Sequence, residues 1–281
     1  MRVSGQASFF TAVTMTYLEF RPLPELADHI QLVWAMESET EDDVFPREQI
    51  MPDGIVELVF HWGDPWHTFQ DNRRFLQPRS FAISMMRKLV EIESTGRTGV
   101  VAIRFYPWGA YHYFAEPIRN FLDTTIPCER LWPELIDGLM ANLSEDRDIE
   151  GRIETVQRFL RDRLRENRRN EPEIDDAIRL IRDSQGRLSI AEICARTGLS
   201  KKQLERRFLT SVGTTPKIFS RISRFLAICH HLKEHRERSL TGIAYECGFY
   251  DQAHFIKEFK DFSGFTPKEF FGRNNVVFSD L

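Results

Sequence analysis

The sequence predicts an α+β chain of two domains. A β-rich N-terminal half with flanking helices precedes an all-α region, in which one helix–turn–helix unit occurs twice around a long helix. Three observations carry that expectation. At 281 residues the chain exceeds one average core. Short β-branched runs bounded by Gly, Pro and Asp fill the chain to about residue 135, and helical periodicity takes over from Ile149. A set of Gly, Phe and Pro positions then recurs at a fixed offset near the C-terminus.

Composition bounds the rest. With 42% hydrophobic and 28% charged residues the chain has a globular mix, which excludes wholesale disorder. Cys128, Cys194, Cys229 and Cys247 are too scattered for a disulfide framework, and they form no Cys-x-x-Cys pair for structural zinc. The expected compartment is therefore reducing and cytoplasmic. No apolar run is long enough to span a membrane. The opening stretch is interrupted by Gly5, Ser8, Thr11 and Thr14 and reads as untargeted. Without a Gly-rich phosphate loop or a Gly-x-Ser-x-Gly elbow, neither a cofactor nor an enzyme is expected.

Taken in order, Pro24 to Met36 reads as a helix, because Leu26, Ile30, Val33 and Trp34 recur at helical spacing. Ile55–Phe60 and Val100–Phe105 read as strands. Pro52-Asp53-Gly54, Gly63-Asp64-Pro65 and Pro107-Trp108-Gly109 supply the turns between them. Ile149, Ile153, Val156, Leu160 and Leu164 line one face of a helix, either a dimer seam or a face packed on the β-rich domain. The polar run ending at Pro172 sets the expected boundary, giving domains 1–170 and 171–281.

In the repeat, Ile193, Gly198 and Leu199 match Ile243, Gly248 and Phe249 fifty positions on. Leu204, Phe208, Gly213 and Pro216 match Phe255, Phe259, Gly264 and Pro267 fifty-one positions on. Each copy reads as a helix, a Gly-centred turn, a polar N-cap (Ser200 or Asp251) and a second helix. Leu204/Phe208 and Phe255/Phe259 turn inward. Lys201, Lys202, Gln203, Glu205 and Arg206, and then Gln252, Ala253, His254, Ile256 and Lys257, are left to face outward. Pro216–Glu237 reads as the connecting helix, about 30 Å long at 1.5 Å per residue and close to one turn of duplex DNA. Charge divides accordingly. Residues 187–273 hold 16 Lys+Arg against 9 Asp+Glu, and the remainder holds 22 against 33, the asymmetry of a polyanion-binding module fused to a different one.

The stretch Ile243-Ala244, Gly248-Phe249, Phe255, Phe259-Lys260, Gly264, Pro267 and Phe270 resembles the DNA-binding domain of the AraC/XylS family of bacterial transcriptional regulators, with the likeness running from about Ile174 to Phe271. The resemblance implies double-stranded DNA and RNA polymerase as partners. Ser200 and Lys201 are the expected N-cap and phosphate contact. The base-contacting positions fall on Lys202, Gln203 and Arg206, and on Gln252, Ala253, His254 and Lys257. Ala253 and Ile256 are less polar than many family members carry, which implies more phosphate and methyl contact from the second helix.

Residues 51–65 and 104–111 resemble an N-terminal domain of some AraC-like regulators, for which a cupin-like β-barrel or half-open sandwich is expected. Its aromatic content points to a small-molecule effector held among Trp34, His61, Trp62, Arg104, Trp108 and Tyr111, with barrel core as the alternative for each. Arg161, Arg165 and Arg169, at four-residue spacing on one helix face, are a further candidate clamp for a cyclic dinucleotide, or simply a solvated face. His61 and His67 lack the His-x-His pairing of a metal site, so no metal is expected. Two other readings stand beside effector control: a constitutive DNA-binding homodimer with a structural barrel, and a metal-binding or enzymatic barrel targeted to DNA.

Overall fold

The computed structural model describes residues 2–3, 15–38, 40, 45–50, 55–70, 73–83, 90–121, 124–146, 148–167, 171–234, 242, 245, 251–271 and 276–277. Twelve strands are assigned among them: β1 (Arg2–Val3), β2 (Met15–Phe20), β3 (Ile30–Ser38), β4 (Glu48–Ile50), β5 (Glu57–His61), β6 (His67–Gln70), β7 (Arg73–Leu76), β8 (Ser80–Ile83), β9 (Val90–Glu93), β10 (Gly99–Phe105), β11 (Thr125–Pro127) and β12 (Val276–Val277). They form a seven-stranded sheet, in the order β1-β2-β3-β10-β5-β8-β11, and a five-stranded sheet, β12-β4-β9-β6-β7. Among the described residues neither sheet closes, so of the two expected forms the half-open sandwich fits and the cupin-like barrel does not.

The alternation of β10 shows how the layers are built. Val101, Ile103 and Phe105 point to one side, where they pack on helices, while Val100 and Ala102 point to the other, towards the five-stranded sheet. The helical layer comprises α1 (Cys128–Leu131), α2 (Ile136–Glu145) and α3 (Ile149–Glu166). Asp148 caps α3 by accepting from the Gly151 amide at 2.7 Å. Ile149, Ile153, Val156 and Leu160 are buried in the same core as Leu58, Phe60 and Ile103, with Leu164 packed against it. The stripe is therefore a face packed on the sheet and not a dimer seam.

The expected helix over Pro24–Met36 is the clearest departure. Only Pro24–Leu26 forms a 3-10 turn, and Ile30–Ser38 is a strand. That strand is paired on both edges, with β2 and β10, and both of its faces are covered. Val33 and Ala35 enter the helix-facing core, and Trp34 and Met36 meet the second sheet. A strand apolar on both faces loses its period-two signature, and chance spacing then mimics a helix.

The C-terminal helices are α4 (Pro172–Asp183), α5 (Ile190–Thr197), α6 (Lys201–Ser211), α7 (Pro216–Glu234), α8 (Gln252–Ser263) and α9 (Pro267–Phe271). Their core is aromatic: Phe208 lies 5.6 Å from Phe219 between ring centroids, Phe225 lies 5.1 Å from Phe259, and Phe259 lies 5.3 Å from Phe270. The first helix of the second repeat copy, with Gly248, lies outside the described residues apart from Gly242 and Tyr245. So do the Pro52-Asp53-Gly54 turn and Arg169.

Candidate nucleic-acid interface and effector residues

The first helix–turn–helix is built as its residues dictate. Ser189 and Glu192 form a reciprocal capping box at the start of α5, and Gly198 ends that helix in the left-handed region at φ 71°. Ser200 and Gln203 form a second box at the start of α6. Leu204 and Phe208 are fully buried, and Lys201, Lys202, Gln203 and Arg206 are exposed. Sequence spacing could not show that Gln203 is partly committed. Its Oε1 accepts from both the Ser200 amide and hydroxyl, at 3.0 and 2.8 Å, leaving only its NH2 to reach a base. Arg207, one residue from Arg206, is a structural cation instead. It donates to Glu171 and, at 2.7 Å, to Glu173, tying α6 to the start of α4.

The second reading helix repeats the plan. Asp251 accepts from the His254 amide at 2.8 Å, and Gly264 closes α8 at φ 75°. Gln252, Ala253, His254 and Lys257 are exposed, and Phe255 and Phe259 are fully buried. Ile256, expected to face outward, is half-buried against the core. A three-residue step to the buried Phe259 brings it onto the flank of the apolar face.

A cleft of about 590 Å³ runs beside α8, lined by Ser189 and Ile190 of α5, Lys217, Arg221 and Arg224 of α7, and His254, Lys257, Glu258 and Asp261. Several of these charges are already engaged. Arg221 reaches Glu258 and Asp261 at 3.2 Å each, Arg224 donates to the Gly186 carbonyl at 2.8 Å, and His254 lies 3.7 Å from Glu258. Lys217 remains as a cation that can follow a phosphate chain, and Lys257 lines the same cleft from the exposed face of α8.

The effector candidates are not gathered in one place. Trp34, His61 and Arg104 share the face of the large sheet that looks towards the small one. There the Trp34 indole donates to Glu57 at 2.7 Å, and Arg104 pairs with Glu57 at 3.5 Å. Trp62 and Tyr111 belong to the opposite, helix-facing core, with the Arg152 guanidinium 4.6 Å above Trp62. Arg161 and Arg165 flank Asp162 on α3, at 3.7 and 3.8 Å. His67 is on the other sheet from His61, pointing away from it.

Trp108 lies elsewhere again. Its ring is buried in the helical core with Ile174, Ile178 and Phe208, stacked on Tyr106 at 4.7 Å and faced by the Arg182 guanidinium at 5.0 Å. The turn after β10 therefore plugs the N-terminal domain into the C-terminal one. A second contact lies nearby, where Arg119 donates to Thr210 of α6 at 3.4 Å.

Burial pushes the His61 imidazole down from its ordinary 6.5 to about 4. The folded state then holds fewer protons than the unfolded one between those values. Its contribution to stability is complete above pH about 6.5 and is lost as the pH falls towards about 4. Melting curves across that window should show a steeper acid loss for the wild type than for His61→Gln. Equal slopes would remove His61 as a source of acid sensitivity.

Two family models match the chain: a helix-turn-helix domain over residues 193–273, and a domain of unknown function (DUF6597) over residues 18–127. Among curated proteins, the chain is 36% identical over 77 residues to the HTH-type transcriptional activator RhaS of Escherichia fergusonii, covering 27% of each chain. To RhaS of Klebsiella pneumoniae it is 32% identical over 78 residues, covering 28% of each. The match thus spans about a quarter of these relatives' length. Among solved structures, ToxT from Vibrio cholerae aligns at 12% identity over 92% of this chain and 98% of that one, with a TM-score of 0.46. An AraC-type DNA-binding protein from Chromobacterium violaceum aligns at 27% identity over 37% and 92%, with a TM-score of 0.34. Paired capped helices, a buried phenylalanine ladder and the matched helix-turn-helix model agree: residues 193–273 are a helix-turn-helix domain of the AraC/XylS type.

Proposed function

We propose that this chain is a sequence-specific, duplex-DNA-binding transcription regulator of the cytoplasm. It works with RNA polymerase, and a small-molecule effector at its N-terminal domain controls it. One observation carries the DNA-binding part. Two reading helices, each with a fully buried apolar pair and an exposed polar face, are joined through a 19-residue helix. At about 1.5 Å per residue that connector approaches the spacing of successive major grooves. Lys202, Arg206, His254, Gln252 and Lys257 read bases. Lys201, Lys217 and the Ser200 end of α6 hold phosphates, and Ala253 meets thymine methyl groups. The working limits of the domains are 1–170 and 171–281, and repeated half-sites favour a homodimer.

Footprinting and salt-dependent binding test this reading. Arg206→Ala should weaken binding to the footprinted site by about 1–3 kcal/mol and relax selectivity at one base pair. Lys201→Ala should weaken all duplexes alike and flatten the salt dependence by about one charge. A discrete footprint that Arg206→Ala leaves unchanged takes that residue out of base reading. Failure to find any discrete footprint sinks the function.

A further inference from the structure

We propose that the layer between the two sheets of the N-terminal domain is a binding site for a small arylalkylamine, seated on Glu48, His61 and Trp66. The inference rests on the reading of this domain as the effector domain, and it names the site and the ligand chemistry.

Met36, Val59, Phe81, Val100 and Ala102 of the large sheet face Ile92 of the small one, and the cation on the same face of the large sheet, Arg104, is paired with Glu57. Glu48 pairs with Ile92 across β4 and β9, so its side chain enters this same layer. His61 pairs with Val100 and enters it from the opposite sheet. Trp66 joins this layer beside His61, with its ring 5.9 Å from that imidazole and stacked on Phe45 at 4.6 Å. All three side chains are more than nine-tenths buried, and each keeps one polar atom without a hydrogen-bond partner: Glu48 Oε2, His61 Nδ1 and Trp66 Nε1. A native interior rarely leaves such groups unmatched, because each forfeits its hydration.

The complement they ask for can be deduced. Gln77 donates its amide to Thr68 Oγ1 at 2.9 Å, so its Oε1 is the atom that accepts from His61 Nε2 at 2.9 Å. His61 Nε2 therefore carries the proton, and Nδ1 is a bare acceptor. The site then presents the bare His61 Nδ1 and the Glu48 carboxyl, which burial pushes up to about 7 so that a cation beside it is needed to favour its ionised form, against a single indole donor. Its walls are the rings of Phe45, Trp66 and Phe81. A protonated amine on an aromatic body supplies the missing positive charge and donors, and its ring adds to the stack. Thr68 links the two ends: it neighbours Ile92 across β6 and β9, and through Gln77 it holds His61 in place.

The test uses the full chain without DNA, with phenethylamine and tryptamine as probes and their isosteric alcohols and carboxylic acids as controls. The amines should raise the melting temperature by several degrees and give saturable heats in calorimetry, and the acids should give neither. Glu48→Gln should abolish the response while folding normally, since it removes a buried carboxyl whose charge has no partner and keeps the side chain's shape. Trp66→Phe, which keeps the ring and deletes the N–H donor, should weaken the response several-fold. A response equal in the acids, or one that survives Glu48→Gln, overturns the site. So does a high-resolution structure in which ordered water alone satisfies the three atoms and no amine binds. Because DNA is absent, failure here leaves the footprint standing. Amine binding that leaves the footprint unchanged removes effector control but keeps the site.

Discussion

Gly186→Ala is expected to destabilise the C-terminal domain by about 2–4 kcal/mol and to abolish selective DNA binding, because it combines left-handed strain with a backbone collision. Gly186 closes α4 at φ 70°, with its amide on the Ile181 carbonyl at 2.7 Å. A Cβ there would stand 2.0 Å from the Ser220 carbonyl oxygen and 3.3 Å from the Arg224 amide nitrogen. Both neighbours are main chain of α7, so no side-chain rotation relieves the contact. The end of α4 must lift from α7, and the Arg224 bond to the Gly186 carbonyl goes with it. Since α7 joins the two reading heads, their relative aim is lost as well.

Gly198→Ala and Gly264→Ala are the matched controls. Both glycines are left-handed, at φ 71° and 75°, but a Cβ at either would meet nothing within 4 Å. Each should cost only about 1 kcal/mol of conformational strain. Chemical denaturation of the three variants separates the two effects. If Gly186→Ala costs no more than its controls, the close approach of α4 to α7 does not hold in solution.

The same three glycines show what a sequence discloses. Gly198 and Gly264 were legible because their reasons are local: each follows an amphipathic helix, and Ser200 shows where the next one starts after Gly198. Gly186 gave no such signal, since its partner lies 34 residues away in α7. Buried pairs such as Leu204/Phe208 were readable from helical spacing alone. Strand β3 was misread because both its faces are covered, which erases the alternation that marks a strand. Glu48 gives no signal for a related reason: in a three-residue strand, no periodicity tells which side a residue enters. Trp108 was assigned to an effector cavity on its aromatic character, and the structure places it in the helical core. A turn residue's packing partner is a tertiary fact, and local sequence cannot disclose it.

That placement makes Trp108 the residue whose loss should most change communication between the domains. Trp108→Ala is expected to cost about 3–5 kcal/mol, the range for emptying a buried aromatic site. The cost falls on the junction, since the ring belongs to the turn after β10 but is buried against α4. Its indole N–H donates to the Asp28 carbonyl at 2.8 Å, anchoring the plug on its own domain, and Arg179 and Arg182 close over the ring from the other. Without the plug, Tyr106 loses its stacking partner and Arg182 faces a cavity. Calorimetry should then resolve two transitions where a single one is expected for the wild type, because each domain keeps its own core. DNA affinity of the C-terminal domain should survive, and any effector response relayed through this contact should fall. Trp108→Phe retains a ring against Arg182 but loses the bond to Asp28, and should cost only about 1 kcal/mol. A single undivided transition in Trp108→Ala would mean that coupling runs instead through the Arg119–Thr210 contact and the fit of Gly213 against Ile118, where a Cβ would approach the Ile118 carbonyl to 3.0 Å.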